Sequence, residues 1–301
     1  MGRLTKLQEK KHDEALALLS LIRRLEDEEV EFVYRHYNPM ATHRIAKGAI
    51  YFTPFDLAAL FAVFARIEWK TRIVDLAAGT GLLTYHMLRA EQFDSRDERK
   101  HHVCVEIEDE FVQVGKKLLP HVEWIRGNIF DRDLLESLGT FGVGIANPPF
   151  GHIPSLQPAR SWMKSALPAH LATLEVMVRL CQQGGFAILP RVDTDYPSDT
   201  HRNLSMSVQR LRAAFPGVHL SVLQIPEPGE QKFVGADPNV VITELNTDEC
   251  EFEQPYGFAD VKTANGLAHP TQRVSVAAPL SVPAPPTAPV SVSQQLTLLA
   301  D

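Results

Sequence analysis

The sequence predicts an α/β chain: a doubly wound, mainly parallel sheet with a C-terminal antiparallel strand and a helical segment ahead of it. Three observations predict this. From residue 55, apolar runs of strand length alternate with amphipathic runs of helix length, the mark of successive βαβ units. The first of these strands runs into a small-residue turn, DLAAGTG (75–81), that opens a helix. The last two strand-like runs, HLSVLQIPE (219–227) and VVITELN (240–246), have no helical pattern between them and read as an antiparallel pair.

Each element has its own signal. In residues 5–35, Leu7, Ala15, Leu18, Leu19, Ile22 and Leu25 continue a 3–4 spacing begun at Leu4, so one helix with an apolar face is expected. That face packs on the core or on a partner. PFDLAALFAVFARI (54–67) reads as a helix with proline in its first turn. TRIVDLA (71–77) is a buried strand, followed by helix 82–93 and a charged loop, DSRDERK. Strand 101–108, helix 109–119, strand 122–128, helix 131–139 and strand 141–147 follow in alternation. Helix 167–184, strand 185–192 and a helix near 203–214 complete the pattern. Beyond residue 248 it fades, and PLSVPAPPTAPVSVSQQ (279–295) has the composition of a disordered or polyproline segment. The expected domains are an N-terminal helical segment (1–48), an α/β domain (49–247) and a Pro-rich, largely disordered tail (248–301).

Composition narrows the class. The chain is 45% hydrophobic and 22% charged, as in ordinary globular proteins. No apolar run reaches the roughly 18 residues of a membrane span. The N-terminal MGRLTKLQEKKHDE lacks the apolar stretch of a signal peptide. Cys104, Cys181 and Cys250 lie far apart without a CxxC pair. A zinc site or disulfide framework is not expected, and a cytoplasmic location is. The net charge of −7 gives no support of its own for a polyanionic partner.

The chemistry-bearing residues fall at strand ends. In DLAAGTG, small residues allow close backbone approach, and the helix start offers unpaired N–H groups. The spacing is not that of a dinucleotide fold, and Asp75 would repel a pyrophosphate. A cationic ligand with an amino group fits better; the alternative is a tight turn with a capping aspartate. Glu106, ending the second strand, is placed to accept both hydroxyls of a ribose. In GNIFD (127–131), Asn128 can read an adenine edge, with Ile129 beside it. Gly-Asn is also ordinary turn chemistry.

IANPPFGH (145–152) is the least ordinary stretch. Each proline fixes its own φ and keeps the preceding residue extended. Asn147 is thereby held on a stiff turn at a strand end, with Phe150 three places on.

Taken in order, YFTP (51–54), DLAAGTG, Glu106, GNIFD and NPPF (147–150) resemble the Rossmann-like class I S-adenosylmethionine-dependent methyltransferases. Within these they are most similar to N6-adenine DNA methyltransferases, especially the modification subunits of type I restriction systems. Those read F-x-T-P, D-P-A-C-G-T-G and N-P-P-F; here Leu76 and Ala78 replace the proline and cysteine. GGFAILP (184–190) also resembles a segment those proteins carry. The similarity covers about residues 50–247.

The resemblance implies S-adenosylmethionine as cofactor and no metal. Phe52 and Thr53 would close over it, Asp75 would meet its amino group, Ala77, Gly79 and Gly81 would give it room, Glu106 would hold its ribose, and Asn128 and Ile129 its adenine. The side-chain oxygen of Asn147 and the carbonyl of Pro148, stiffened by Pro149, would accept the two N–H bonds of a target amine, with Phe150 stacked on the base. The expected reaction is N6-adenine methylation of DNA. Methylation of an RNA base (guanine-N2 or adenine-N6), methylation of a protein glutamine, and a non-enzymatic scaffold stay open. Arg160, Trp162 and Lys164, in the insertion after NPPF, are candidate DNA contacts. So few readers imply a short recognition site, unless a specificity subunit or other partner docks on the N-terminal helix.

Overall fold

The computed structural model describes residues 5–38, 52–65, 72–91, 102–149, 168–190, 215, 218–224, 240–247, 261–264 and 267–270. The helix expected at 203–214, the loop 94–100, Phe150, Arg160, Trp162, Lys164 and the Pro-rich stretch 279–295 lie outside these residues.

The helices are α1 (Lys6–Leu19), α2 (Asp27–His36), α3 (Phe55–Phe64), α4 (Leu82–Glu91), α5 (Asp109–Leu118), α6 (Arg132–Leu138) and α7 (Ala169–Leu180). A seven-stranded sheet is formed by β1 (Ile73–Leu76), β2 (His102–Glu106), β3 (Glu123–Arg126), β4 (Val143–Ala146), β5 (Gly185–Pro190), β6 (Val218–Gln224) and β7 (Val240–Thr247). Its order is β3-β2-β1-β4-β5-β7-β6. Strands β1 to β5 are parallel, and β7 runs antiparallel between β5 and β6. The mainly parallel, doubly wound sheet with its antiparallel C-terminal pair is therefore as the sequence predicts.

Strand side chains alternate, so each strand feeds two cores. Val74, Leu76, Val103 and Val105 face one side, with α6 and α7 residues such as Leu135, Leu174 and Met177. Ile73, Cys104 and Ile145 face the other, with Leu57, Phe61, Leu83 and Val112. Burial on both faces explains why the central strands read as continuous apolar runs.

The N-terminal segment departs from the single helix expected. It breaks between Leu19 and Asp27. Thr5 and Gln8 close a capping box at the start of α1, and Glu26 and Glu29 close one at the start of α2. The second box restarts the helix where the first would have run on. Ala15, Leu25, Val30 and Val33 are buried in the same core as α3, so the chain itself covers part of the apolar stripe, while Leu7 and Ile22 are exposed. The Tyr34 hydroxyl donates to the Thr80 carbonyl at 3.1 Å and Tyr37 to Glu110 at 3.1 Å. Lys117 donates to the carbonyls of Leu21 and Arg23. These bonds tie α2 and the connector before it to the turn after β1 and to α5.

A second departure lies in the tail. Val261–Ala264 (β8) and Leu267–Pro270 (β9) pair as an antiparallel ribbon where no regular structure was expected. Asn265-Gly266 between them is the strongest short hairpin signal in a sequence.

Candidate active site

The sheet order reverses between β1 and β4, and the candidate residues collect at that carboxyl edge. Asp75 is the penultimate residue of β1, Glu106 ends β2, Asn128 follows β3 and Asn147 follows β4 directly.

Asp75 is 2% exposed. The Thr84 hydroxyl on α4 donates to its Oδ2 at 2.7 Å. The Thr84 backbone N–H also favours the charged form. Asp75 thus does cap the helix, while its Oδ1 is buried without a partner among the described residues. Burial outweighs these bonds and pushes its pKa up to about 7.

Glu106 is tied differently. Its Oε2 accepts the Gly79 N–H at 2.7 Å, and its Oε1 accepts those of Ile107 and Glu108 at 2.8 and 2.9 Å. Burial raises its pKa, and the three backbone donors oppose that rise. The carboxylate joins the β1 and β2 turns.

The turn itself needs unusual backbone. Gly79 and Gly81 have φ of 57° and 86°, and Ala77 holds φ of 60° despite its Cβ. The two glycines differ in surroundings. A Cβ on Gly81 would lie 2.9 Å from the Trp124 ring, whereas one on Gly79 would meet only Phe52 among the described residues, at 3.9 Å. Gly81 is a packing requirement; Gly79 borders open space. Phe52 covers that space, edge-on to Phe111 at 5.1 Å between ring centroids.

At the end of β4, the Asn147 Nδ2 donates to the Thr53 hydroxyl at 2.7 Å. Its Oδ1 is buried and has no partner among the described residues. Pro148 is buried and Pro149 exposed. Thr53, expected over a cofactor, thus turns its hydroxyl to Asn147. Pro54 explains its placement: it caps α3 with φ −57° and keeps Thr53 extended.

The third strand offers less. Asn128 is exposed, and its Oδ1 accepts the Phe130 N–H at 3.0 Å, an Asx turn. Ile129 is 5% exposed, with its side chain in the core. Sequence reading missed Thr84, Ile107 and Tyr34. Ile107 is 53% exposed beside Glu106, an apolar surface at a strand end that the acidic run after it obscured.

These features fit a cationic nucleoside-like ligand. Asp75 Oδ1 is an unsatisfied acceptor for an ammonium, Gly79 leaves room, and Ile107 offers an apolar face. Two buried carboxylates disfavour a polyphosphate. Burial also raises the thiol pKa values of Cys104 and Cys181, so neither is a ready nucleophile.

No family model matches the chain, and no curated protein matches it in sequence. Solved structures do match in fold. One is a Listeria monocytogenes protein provisionally assigned as a class I S-adenosylmethionine-dependent methyltransferase, with 16% identity, TM-score 0.54, and 83% of this chain and 84% of that one covered. A second is the modification subunit of a provisionally assigned type I restriction enzyme from Vibrio vulnificus, with 14% identity, TM-score 0.51 and coverage of 74% and 50%. A third is the methyltransferase subunit of a type I restriction-modification system from Streptococcus thermophilus, with 13% identity, TM-score 0.52 and coverage of 82% and 56%. The chain spans about half the length of the two restriction-system subunits. With its strand order and its residues at the carboxyl edge, the chain has the fold of the class I S-adenosylmethionine-dependent methyltransferases.

Proposed function

We propose that the chain methylates the N6 amine of adenine in DNA, using S-adenosylmethionine. One observation carries this reading: on a proline-stiffened turn at the carboxyl edge, Asn147 presents a buried side-chain oxygen that has no partner among the described residues. An exocyclic amine is a poor nucleophile because its lone pair is delocalised into the ring. Two fixed acceptors, Asn147 Oδ1 and the Pro148 carbonyl, favour a pyramidal nitrogen whose lone pair is free to attack. The acceptors do not reorganise during the reaction, which is where the catalytic gain arises. Phe150 is proposed to stack on the extruded base.

When bound, the cofactor supplies an electrophilic sulfonium methyl, and the C–S bonding electrons leave on sulfur. Asp75 would meet its ammonium, Glu106 its ribose through the second lone pair of Oε2, and Asn128, the backbone of Ile129 and the Ile107 side chain its adenine ring. Ala77, Gly79 and Gly81 shape the turn around it, under Phe52. Asn147 and Pro148 release the amine proton to solvent once the N–C bond has formed.

The similarity in fold to type I restriction-system subunits supports DNA over other amines. The order of the F-T-P, glycine-turn and NPPF segments supports it too. Residues 49–247 form the proposed catalytic domain. Arg160, Trp162 and Lys164, next to NPPF in sequence, are the proposed DNA contacts, and a specificity subunit is the proposed partner. The test is methyl transfer from labelled cofactor to unmethylated DNA, bulk RNA and cell extract side by side. Label recovered as N6-methyladenine in DNA supports the reading. Label only in RNA or in protein glutamine overturns the substrate and keeps the chemistry.

A further inference from the structure

We infer that Thr53 is a positioning residue for Asn147, holding its amide in the rotation that leaves the oxygen end for the substrate. The inference rests on the proposed amine-methylating role of Asn147.

The two ends of an asparagine amide have nearly the same shape and opposite hydrogen bonding. An acceptor for an amine must present the oxygen. An outward nitrogen would place donor against donor. The prolines after Asn147 fix its backbone but not the rotation of the amide. That rotation is set by what the amide touches. Here Nδ2 donates to Thr53 Oγ1 at 2.7 Å, and Oδ1 is left buried without a partner among the described residues. The hydroxyl thus holds the nitrogen end and leaves the oxygen end for substrate.

Thr53 is itself firmly held. Pro54 restricts its backbone and begins α3, whose Leu57, Ala58 and Phe61 are fully buried. Its neighbour Phe52 lies beside Gly79 and against Phe111. The dipeptide therefore touches the glycine turn with one side chain and the acceptor turn with the other. Asn147 is oriented from a different element than its own, which the spacing within NPPF cannot reveal.

Thr53→Val keeps the shape and removes the acceptor; Thr53→Ser restores it. With DNA as substrate, Thr53→Val should lower kcat on the order of tenfold, as for one lost hydrogen bond. The affinity for S-adenosylhomocysteine should change less than about twofold, and Thr53→Ser should recover most of the rate. In an Asn147→Ala background, Thr53→Val should have no further effect, because the two act as a unit. A second readout does not depend on turnover. The Asn147 side-chain NH2 resonances, identified by their loss in Asn147→Ala, should shift in Thr53→Val and return in Thr53→Ser. If active enzyme keeps its kcat in Thr53→Val, or loses mainly cofactor affinity, or loses rate equally in both backgrounds, the inference is overturned. If Asn147→Ala itself keeps full activity, the amine role of Asn147 fails first, and the inference falls with it.

Discussion

The Oε2 atom of Glu106 accepts the Gly79 N–H at 2.7 Å, so the acid ending β2 is fastened to the turn after β1. The turns after two strands are thereby joined by one side chain. Glu106→Gln keeps the shape and removes the charge. Hydrogen bonds to a charged group contribute about 1.5–3 kcal/mol, so affinity for S-adenosylhomocysteine should fall on the order of 10–100-fold. Titration calorimetry measures it, and an unchanged affinity would remove Glu106 from the ligand site.

Asp75 should make stability depend on pH. Burial lifts it from 3.8 to about 7. A raised folded-state value means that folding favours the protonated form. Its contribution is complete below about pH 4 and is lost as pH rises through about 7. Asp75→Asn should therefore gain stability relative to wild type as pH increases across that interval, read from denaturant midpoints. An ammonium arriving at Oδ1 favours the carboxylate, so wild-type cofactor affinity should rise between pH 6 and 7 while that of Asp75→Asn stays flat. Parallel profiles for the two proteins would contradict this.

The two glycines of the turn should separate binding from folding. Gly79→Ala meets only Phe52 but keeps a φ of 57°. Its stability cost should be about 1–2 kcal/mol from backbone strain, while ligand affinity falls because the new methyl enters the open space. Gly81→Ala drives a Cβ to 2.9 Å from Trp124. Overpacking adds about 1–3 kcal/mol to a similar strain, so Gly81→Ala should unfold at clearly lower denaturant. Equal unfolding midpoints would show that the contrast is wrong.

Much of this site was legible because strand ends announce themselves. Asp75, Glu106 and Asn147 each close an apolar run with a polar residue, and a parallel sheet brings such ends to one edge. What sequence could not give is contact between elements. Thr84 under Asp75 and Thr53 beside Asn147 are known only once α4 and α3 are packed. The break after Leu19 was hidden because Leu21, Ile22 and Leu25 continue the apolar content through it, though Leu21 and Ile22 prove exposed. Local capping by Glu26 overrode the longer pattern. The ribbon at 261–270 was masked by its polar surroundings, with only Asn265-Gly266 to mark it.

Cysteine should play no part in the chemistry. Cys104 and Cys181 are buried with raised thiol pKa values. A thiolate route to a ring carbon needs an accessible nucleophile. A variant carrying Cys104→Ala, Cys181→Ala and Cys250→Ala should keep its methyl-transfer rate within a few-fold. Complete loss with intact cofactor binding would point to carbon methylation instead.

The most direct test concerns Asn147. Single-turnover methyl transfer to unmethylated DNA should be compared for wild type and Asn147→Ala, with S-adenosylhomocysteine binding measured in both. Loss of one preorganised polar group should slow formation of N6-methyladenine by on the order of 10²–10³-fold and leave binding nearly unchanged. A folded Asn147→Ala protein that transfers methyl groups at close to the wild-type rate would contradict the account.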